Sequence, residues 1–270
     1  HSEVVRLTWT GEVVTASGDP MPLDGLNRVP GKIRNCGGTA DDLPTSAPLH
    51  DVTCTDADEL VAFTTAYGAR TPAGEGVEAV LDADGVVTAI RSPRGGPLPS
   101  GGSSVQATGT TVDALSDRVD VGDRLQVLTG LADEDGRAVR PSKRTSVVNG
   151  GPELVRDGRL RVTPVTDGML HPDNPSFYYG WAHKRNPRTI AGTDPKGRLV
   201  LVTADGRSTD SLGLSILETA TVARSLGLRD AINLDGGGST TMVVDGAVIN
   251  EPSDGTERPV GDALLVLPGD

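Results

Sequence analysis

The stretch Asn233–Thr241, NLDGGGSTT, sets a carboxylate and three glycines at the end of a strand-like run. Before it, Ala231-Ile232-Asn233-Leu234 alternates apolar and polar residues as a half-buried strand does. After it, Thr241-Met242-Val243-Val244 resumes as a second strand up to the turn pair Asp245-Gly246. A hairpin needs no run of three glycines. Glycine reaches positive φ and lets a ligand approach the main chain. Gly236, Gly237 and Gly238 are therefore expected to turn several N–H groups toward one anion, with the Ser239 and Thr240 hydroxyls beside them. The competing interpretation is a wide turn carrying a solvated Asp235.

The rest of the C-terminal half keeps this texture. Strand-like pieces alternate with glycine turns at Ser146-Val147-Val148, at Glu153-Leu154-Val155 before Asp157-Gly158, at Arg198 to Val202, and at Val243-Val244. A helix is predicted over Ser215 to Leu226: Ser215 and Glu218 have capping-box spacing, Leu217, Ala220 and Thr221 share a face, and Gly227 supplies the stop. Glu218 is then either the reciprocal cap on the Ser215 N–H or a buried acid. Toward the N-terminus, Val4 to Thr15 alternates as a strand, and Gly18 to Pro48 is rich enough in Pro, Gly, Asn and Asp to read as an extended connection. Asp56 to Tyr67 predicts a short helix with Leu60, Phe63 and Tyr67 on one side and Gly68 at its end. Val77 to Ile90 predicts a hairpin turning at Asp84-Gly85, and Arg94 to Ser104 a flexible loop. The pattern is strand-dominated, with a boundary expected near residue 130: a loop-rich N-terminal β region with a short helix over 1–130, and a more regular region over 131–270.

Composition narrows the function classes. The net charge of -12, from 37 acidic and 25 basic residues, repels phosphate backbones at long range, so a nucleic-acid partner is not expected and any phosphate chemistry rests on local donors. No apolar run approaches the roughly 20 residues of a membrane-spanning helix. The first residues, HSEVVRLTWT, hold neither a basic nor an apolar signal region, so the expectation is that any leader is already absent. Cys36 and Cys54 are the only cysteines, and their pairing as a disulfide in an oxidising compartment is favoured over two free thiols. Phe177, Tyr178, Tyr179 and Trp181 cluster in a chain with only two Phe, three Tyr and two Trp, followed at once by Lys184, Arg185 and Arg188. Such a cluster suits the apolar face of a sugar, and equally the nucleus of a core, the role weighed for Phe177 and Tyr179.

Taken in order, SVVNGGPELVRDGR (Ser146 to Arg159), RNPRTIAG (Arg185 to Gly192), LVTADGRSTDSLGLSILE (Leu201 to Glu218), AINLDGGGSTTMVVDG (Ala231 to Gly246) and EPSDGTERPVGDALLV (Glu251 to Val266) resemble the phosphodiester glycosidase family. The likeness is dense from Ser146 onward and thinner before it. There, VGDRLQV (Val121 to Val127) matches a short strand segment that family members carry ahead of the Asn-Gly-Gly motif. Bacterial members begin with a further segment bearing an Asn-Gly-Gly-Phe-Phe-like motif. Within residues 1–60 only Arg34-Asn35-Cys36-Gly37-Gly38 echoes it. The expectation is that this segment has been cleaved away, belongs to a partner chain, or was lost together with activity.

The resemblance implies an α+β fold of mixed, mostly antiparallel β-sheets with few helices, and a catalytic region over 131–270. It implies a secreted or cell-envelope hydrolase that cleaves the glycosidic bond of sugar 1-phosphodiesters in envelope or exopolysaccharide glycans. Cleavage at an anomeric carbon passes through an oxocarbenium-like state, which calls for carboxylates near the sugar and donors around the phosphate. Asp235, Asp205 and Glu218 are the acids in matching motifs, two of them serving as base or nucleophile and as acid. Phosphate contacts are expected from Arg188 first, then Arg207, the Asn149 amide, the N–H groups of Gly236, Gly237 and Gly238, and the Ser239 and Thr240 hydroxyls. Arg207 has the alternative of a surface ion pair with Asp205 or Asp210, and Asp254 with Glu257-Arg258 is expected at the rim. No cofactor is firmly implied. His171 and His183 lack a third ligand at metal spacing, whereas Asp205, Asp235 and nearby carbonyls are the oxygens that calcium or magnesium would use, with no coordination pattern fixed. Two rival functions remain: a phosphodiesterase that breaks the P–O bond, and a non-catalytic binder of envelope glycans.

Overall fold

The computed structural model describes the chain apart from residues 1, 17, 19, 32, 35–42, 45–52, 143, 168–174, 262 and 268–270. The chain forms two compact units, Arg6–Arg140 and a second made of residues 1–5 with 141–270. Both are built of mostly antiparallel sheets with few helices, an α+β architecture. Among the described residues no helix is long and apolar enough to cross a membrane.

In the Arg6–Arg140 unit, strand Leu7–Val14 pairs with Gln126–Asp133 along its whole length and with Pro20–Pro22 at its end. A five-stranded sheet runs Val87–Arg91, Val77–Leu81, Ser103–Ala107, Leu60–Thr64, Gly25–Leu26, and its last pair is parallel. Val13, Leu60, Ala62, Leu81, Val105 and Leu115 share one core. The expected hairpin over Val77 to Ile90 is present, turning through Gly85 at φ +78. Two expectations are corrected. Asp56 to Tyr67 is not a helix: Leu60–Thr64 is a strand lying between Ser103–Ala107 and Gly25–Leu26, with Leu60 through Phe63 all buried. A run buried on both faces carries no periodicity to separate strand from helix, and sheet pairing decides it. Arg94 to Ser104 is not a free loop either. Arg94–Pro97 pairs with Arg70–Gly74, Ser103 opens a central strand, and the buried Arg94 guanidinium donates to Pro72 O at 2.9 Å and Gln106 Oε1 at 2.9 Å.

The second unit carries one antiparallel sheet in the order Arg159–Leu160, Glu153–Arg156, Asp230–Asn233, Arg188–Thr193, Leu199–Ala204. Helix Ile216–Ser225 packs on it through Ile216, Ala220 and Ala223 against Leu154, Val155, Ile190 and Ala231. The helix starts where its sequence signals: Ser215 Oγ accepts the Glu218 N–H and Glu218 Oε2 accepts the Ser215 N–H, the reciprocal capping box. Val243–Val244 and Ala247–Val248 form the expected hairpin, with Asp245 at φ +50 and Gly246 at φ +79, the two left-handed residues of a type I′ turn. Ser146-Val147-Val148, expected as a strand, is exposed coil. Cys36, His171 and most of the Arg34-to-Gly38 echo lie outside the described residues.

Candidate active site

Antiparallel pairing gathers four chain segments at one end of the second unit's sheet. Arg188 pairs with Ala204, Ile190 with Asn233, and Glu153 with Ile232. The residues before Glu153, before Arg188, after Ala204 and after Asn233 therefore leave the sheet together. Main-chain bonds stitch them: Gly151 N–H to Asn233 O at 2.7 Å, Leu234 N–H to Thr189 O at 2.8 Å, and Gly237 N–H to Pro187 O at 3.0 Å. A bridge between Asn186 and Leu214 brings the helix entry to the same place. Asn149, Arg188, Asp205, Arg207 and the Asp235–Thr240 turn are thus neighbours by topology.

The glycines of that turn are required by close approach. A Cβ at 236 would lie 2.6 Å from Pro187 O, one at 237 would lie 3.1 Å from Arg207 Nη2, and Gly237 has φ +61. A Cβ at 238 would run into the Asp254–Arg258 pair, whose Nη2–Oδ2 separation is 2.7 Å. The amides, however, do not form the open anion nest expected from the sequence. Gly236 N–H donates to Asp235 Oδ1 at 2.9 Å, Gly237 N–H to Pro187 O, Ser239 N–H to Gly236 O and Thr240 N–H to Gly237 O. The short 3-10 turn over Gly237–Ser239 takes up the Ser239 and Thr240 donors, and the Gly238 N–H is left without a protein acceptor among the described residues. Thr240 is buried with Oγ1 3.2 Å from Thr189 Oγ1, whereas the Ser239 side chain is partly exposed. Asn149 is exposed, and the adjacent Gly150 packs against Asn233 O.

The two arginines divide in a way the sequence does not show. Arg188, expected to be the principal phosphate ligand, is 2% exposed. Its guanidinium donates to Leu214 O at 2.9 Å, Trp181 O at 2.6 Å and Lys184 O at 3.3 Å, and lies 5.2 Å from the centroid of the Trp181 ring. Burial, with the nearby Arg207 charge, pulls it down to about 10. Arg207 is exposed, sits over Gly237, and bonds Asn186 Oδ1 through Nη2 at 3.0 Å and Nε at 3.3 Å. It pairs with neither Asp205 nor Asp210. Among the described residues, neither guanidinium has a carboxylate partner.

Of the three acids, Asp235 and Asp205 stand apart from Glu218. Asp235 is exposed and its Oδ1 accepts only the Gly236 N–H. Asp205 is half-buried, with Oδ1 accepting from Asn250 Nδ2 at 2.9 Å. Glu218 is the cap of its helix and the partner of Arg185, whose Nε lies 3.0 Å from Oε2 and whose Nη2 bonds Oε1. The Arg185 hydrogen bonds, then the Ser215 N–H, hold its carboxyl down at about 2. The Glu218 side chain is 37% exposed and both of its oxygens are engaged by Arg185 and the Ser215 N–H, so it is a helix cap and not a buried acid.

Two asparagines join the site without a local sequence signal. Asn250 ties Asp205 to the glycine turn by donating to Thr240 O at 3.0 Å and accepting from Met242 N–H at 2.7 Å. It lies one residue before the EPSDG motif, and its long-range partners left no local signal. Asn186 lies inside RNPRTIAG, where the arginines drew the attention. In the aromatic cluster, Tyr178 and Trp181 pack against the core while Tyr179 is 61% exposed, so Tyr179 is not core. His183 makes an edge contact with Tyr178, ring centroids 4.9 Å apart. Among the described residues no group of three or more His, Cys, Asp or Glu is placed to hold a metal ion, so Asp205 and Asp235 supply no cation cage by themselves.

The family model described as phosphodiester glycosidase matches residues 75–267, well over half of the chain. The chain is 41% identical over 115 residues to an SPbeta prophage-derived protein of Bacillus subtilis, covering 42% of this chain and 16% of that protein. It is 46% identical over 67 residues to mouse N-acetylglucosamine-1-phosphodiester alpha-N-acetylglucosaminidase, covering 25% of this chain and 13% of that enzyme. A solved Burkholderia pseudomallei protein, described as a candidate exported protein, superposes with a TM-score of 0.84 at 35% identity, over 98% of this chain and 55% of that one. The chain therefore spans about half of that protein and far less of the two curated relatives.

Proposed function

The chain belongs to the phosphodiester glycosidase family, a family of hydrolases, and from that premise we propose that it cleaves the glycosidic bond of sugar 1-phosphodiesters in cell-envelope or exopolysaccharide glycans. The observation that carries the proposal is the pair of guanidiniums, Arg188 and Arg207, without carboxylate partners among the described residues, at the sheet end that also holds Asp205 and Asp235. In a chain with 37 acidic residues, two adjacent uncompensated cations favour an anionic ligand. Arg207, exposed and lying over Gly237, offers the accessible donors, with the Gly238 N–H and the Ser239 hydroxyl following in the same turn. Buried Arg188 adds positive charge from behind, where low dielectric strengthens its field.

In this scheme the anomeric C–O bond breaks, the phosphate leaves as a monoester held by Arg207, and water adds to the sugar carbon. Asp235 and Asp205 each present an oxygen free of protein donors to the developing oxocarbenium or to the attacking water. Glu218 takes no proton-transfer role. A phosphate monoester is a good leaving group, so the reaction does not demand a second acid. Secretion to the envelope is supported by the likeness to the Burkholderia protein described as a candidate exported protein.

Hydrolysis of UDP-N-acetylglucosamine and of simple glycosyl phosphodiesters in ¹⁸O-labelled water tests the scheme. The label is expected on the sugar hydroxyl, and Asp235→Asn is expected to lower kcat by about a hundredfold to ten-thousandfold. Label on phosphate would establish P–O cleavage instead. Binding without release of sugar across this panel would leave a glycan-binding protein.

A further inference from the structure

Arg207 sits in an unusual conformation, with φ +61, so its direction depends on what holds it. What holds it is Asn186, and every polar atom of that residue is engaged. Its N–H donates to Leu214 O at 3.1 Å and its carbonyl accepts from Leu214 N at 2.9 Å. Its Nδ2 donates to Gly180 O and Lys184 O, both at 3.1 Å, and its Oδ1 receives the Arg207 guanidinium. Gly213, at φ +82, closes against it: a Cβ there would lie 3.0 Å from the Asn186 nitrogen. The side chain is thus a rigid acceptor with a fixed orientation.

We infer that Asn186 is a positioning residue that aims Arg207 at the phosphate while leaving its charge unneutralised. The inference rests on the function proposed above. An amide oxygen orients a guanidinium through hydrogen bonds yet carries no counter-charge. An aspartate of the same shape would form a charge-assisted pair and compete with the ligand anion for the same donors. A neutral acceptor at this position separates the two jobs. It also accounts for the arginine remaining without a carboxylate in an acidic chain.

Calorimetric titration of the full chain with inorganic phosphate, and separately with N-acetylglucosamine, tests the assignment on wild type, Asn186→Asp and Arg207→Gln. Asn186→Asp is expected to weaken phosphate binding roughly tenfold or more, to leave N-acetylglucosamine binding unchanged, and to raise KM more than it lowers kcat. Adding Asn186→Ser, which brings no charge, to Arg207→Gln is expected to bring no further loss, because the arginine that Asn186 aims is already gone. Because Asn186→Asp also removes two donors from Gly180 O and Lys184 O, Asn186→Ser serves if the aspartate variant does not fold. It keeps charge neutrality but not reach, and is expected to lose phosphate affinity with sugar affinity intact. Phosphate binding that is absent in wild type, unchanged in the position-186 variants, or lost in parallel with sugar binding overturns the inference. Phosphate binding with the expected variant pattern but no sugar release overturns the hydrolase proposal and leaves the positioning role standing.

Discussion

Arg188 and Arg207 belong to the same sheet end, and both resemble phosphate ligands by type, yet burial assigns them different work. Arg188 satisfies three carbonyls at 2% exposure, and Arg207 keeps donors toward solvent. Glu218 shows the same division among acids. Its carboxyl falls from the ordinary 4.5 to about 2 because the folded state supplies Arg185 and the Ser215 N–H to the ionised form. A depressed folded value means stabilisation that is complete above the unfolded value and disappears as pH falls from about 4.5 toward 2. The pair is partly exposed and screened, so Glu218→Gln is expected to cost about 1 kcal/mol at pH 7, judged from caps and surface pairs. Thermal melts of wild type and variant should converge below pH 4.5 as the wild-type advantage vanishes. A gap independent of pH would show that the charge contributes nothing.

At the scale of elements, Arg188 joins three pieces: the strand it begins, the turn Tyr179–His183 through Trp181 O, and the helix entry through Leu214 O. Arg188→Ala removes a buried side chain and leaves these part-buried carbonyls without its donors, and a destabilisation of about 3 kcal/mol is expected in urea denaturation. Arg207→Ala, at an exposed site, is expected to stay within about 0.5 kcal/mol of wild type while losing phosphate affinity. Equal costs for the two would contradict the division of labour. The elements legible in the sequence were those closed by short-range chemistry: the Ser215–Glu218 cap, the Asp245-Gly246 hairpin, and the Val77 to Ile90 hairpin. Leu60–Thr64 escaped because its apolar run fits either period, and the choice fell to partners at Ser103–Ala107 and Gly25–Leu26.

At the scale of the molecule, the Arg6–Arg140 unit is continuous, while the other is completed by the N-terminal residues. Ser2 N–H donates to Gly197 O at 3.3 Å and Arg156 Nη1 to Val4 O at 3.3 Å. The described residues from 141 to 149 are exposed and lie outside any helix or strand. Limited trypsin digestion of the native chain is expected to cut first at the Lys143-Arg144 pair, since Pro141 protects the Arg140 bond and exposed coil opens more readily than paired strand. First cleavage after Arg94 instead would show the Arg70–Gly74 pairing to be weak.

The sequence alone determined a strand-rich α+β chain, the capped helix, the turns, and the family to which the NLDGGGSTT motif and its four companion segments belong. Each of these depends on residues a few positions apart, or on motif order along the chain. Burial and sheet closure settle which arginine faces solvent, which acid is a cap, that most of the glycine-turn amides are already taken by protein acceptors, and that Asn186 and Asn250 bridge the segments at this sheet end. Those properties follow from burial and from partners distant in sequence, and a side chain's chemistry is set by the water and charge around it after the sheet has closed.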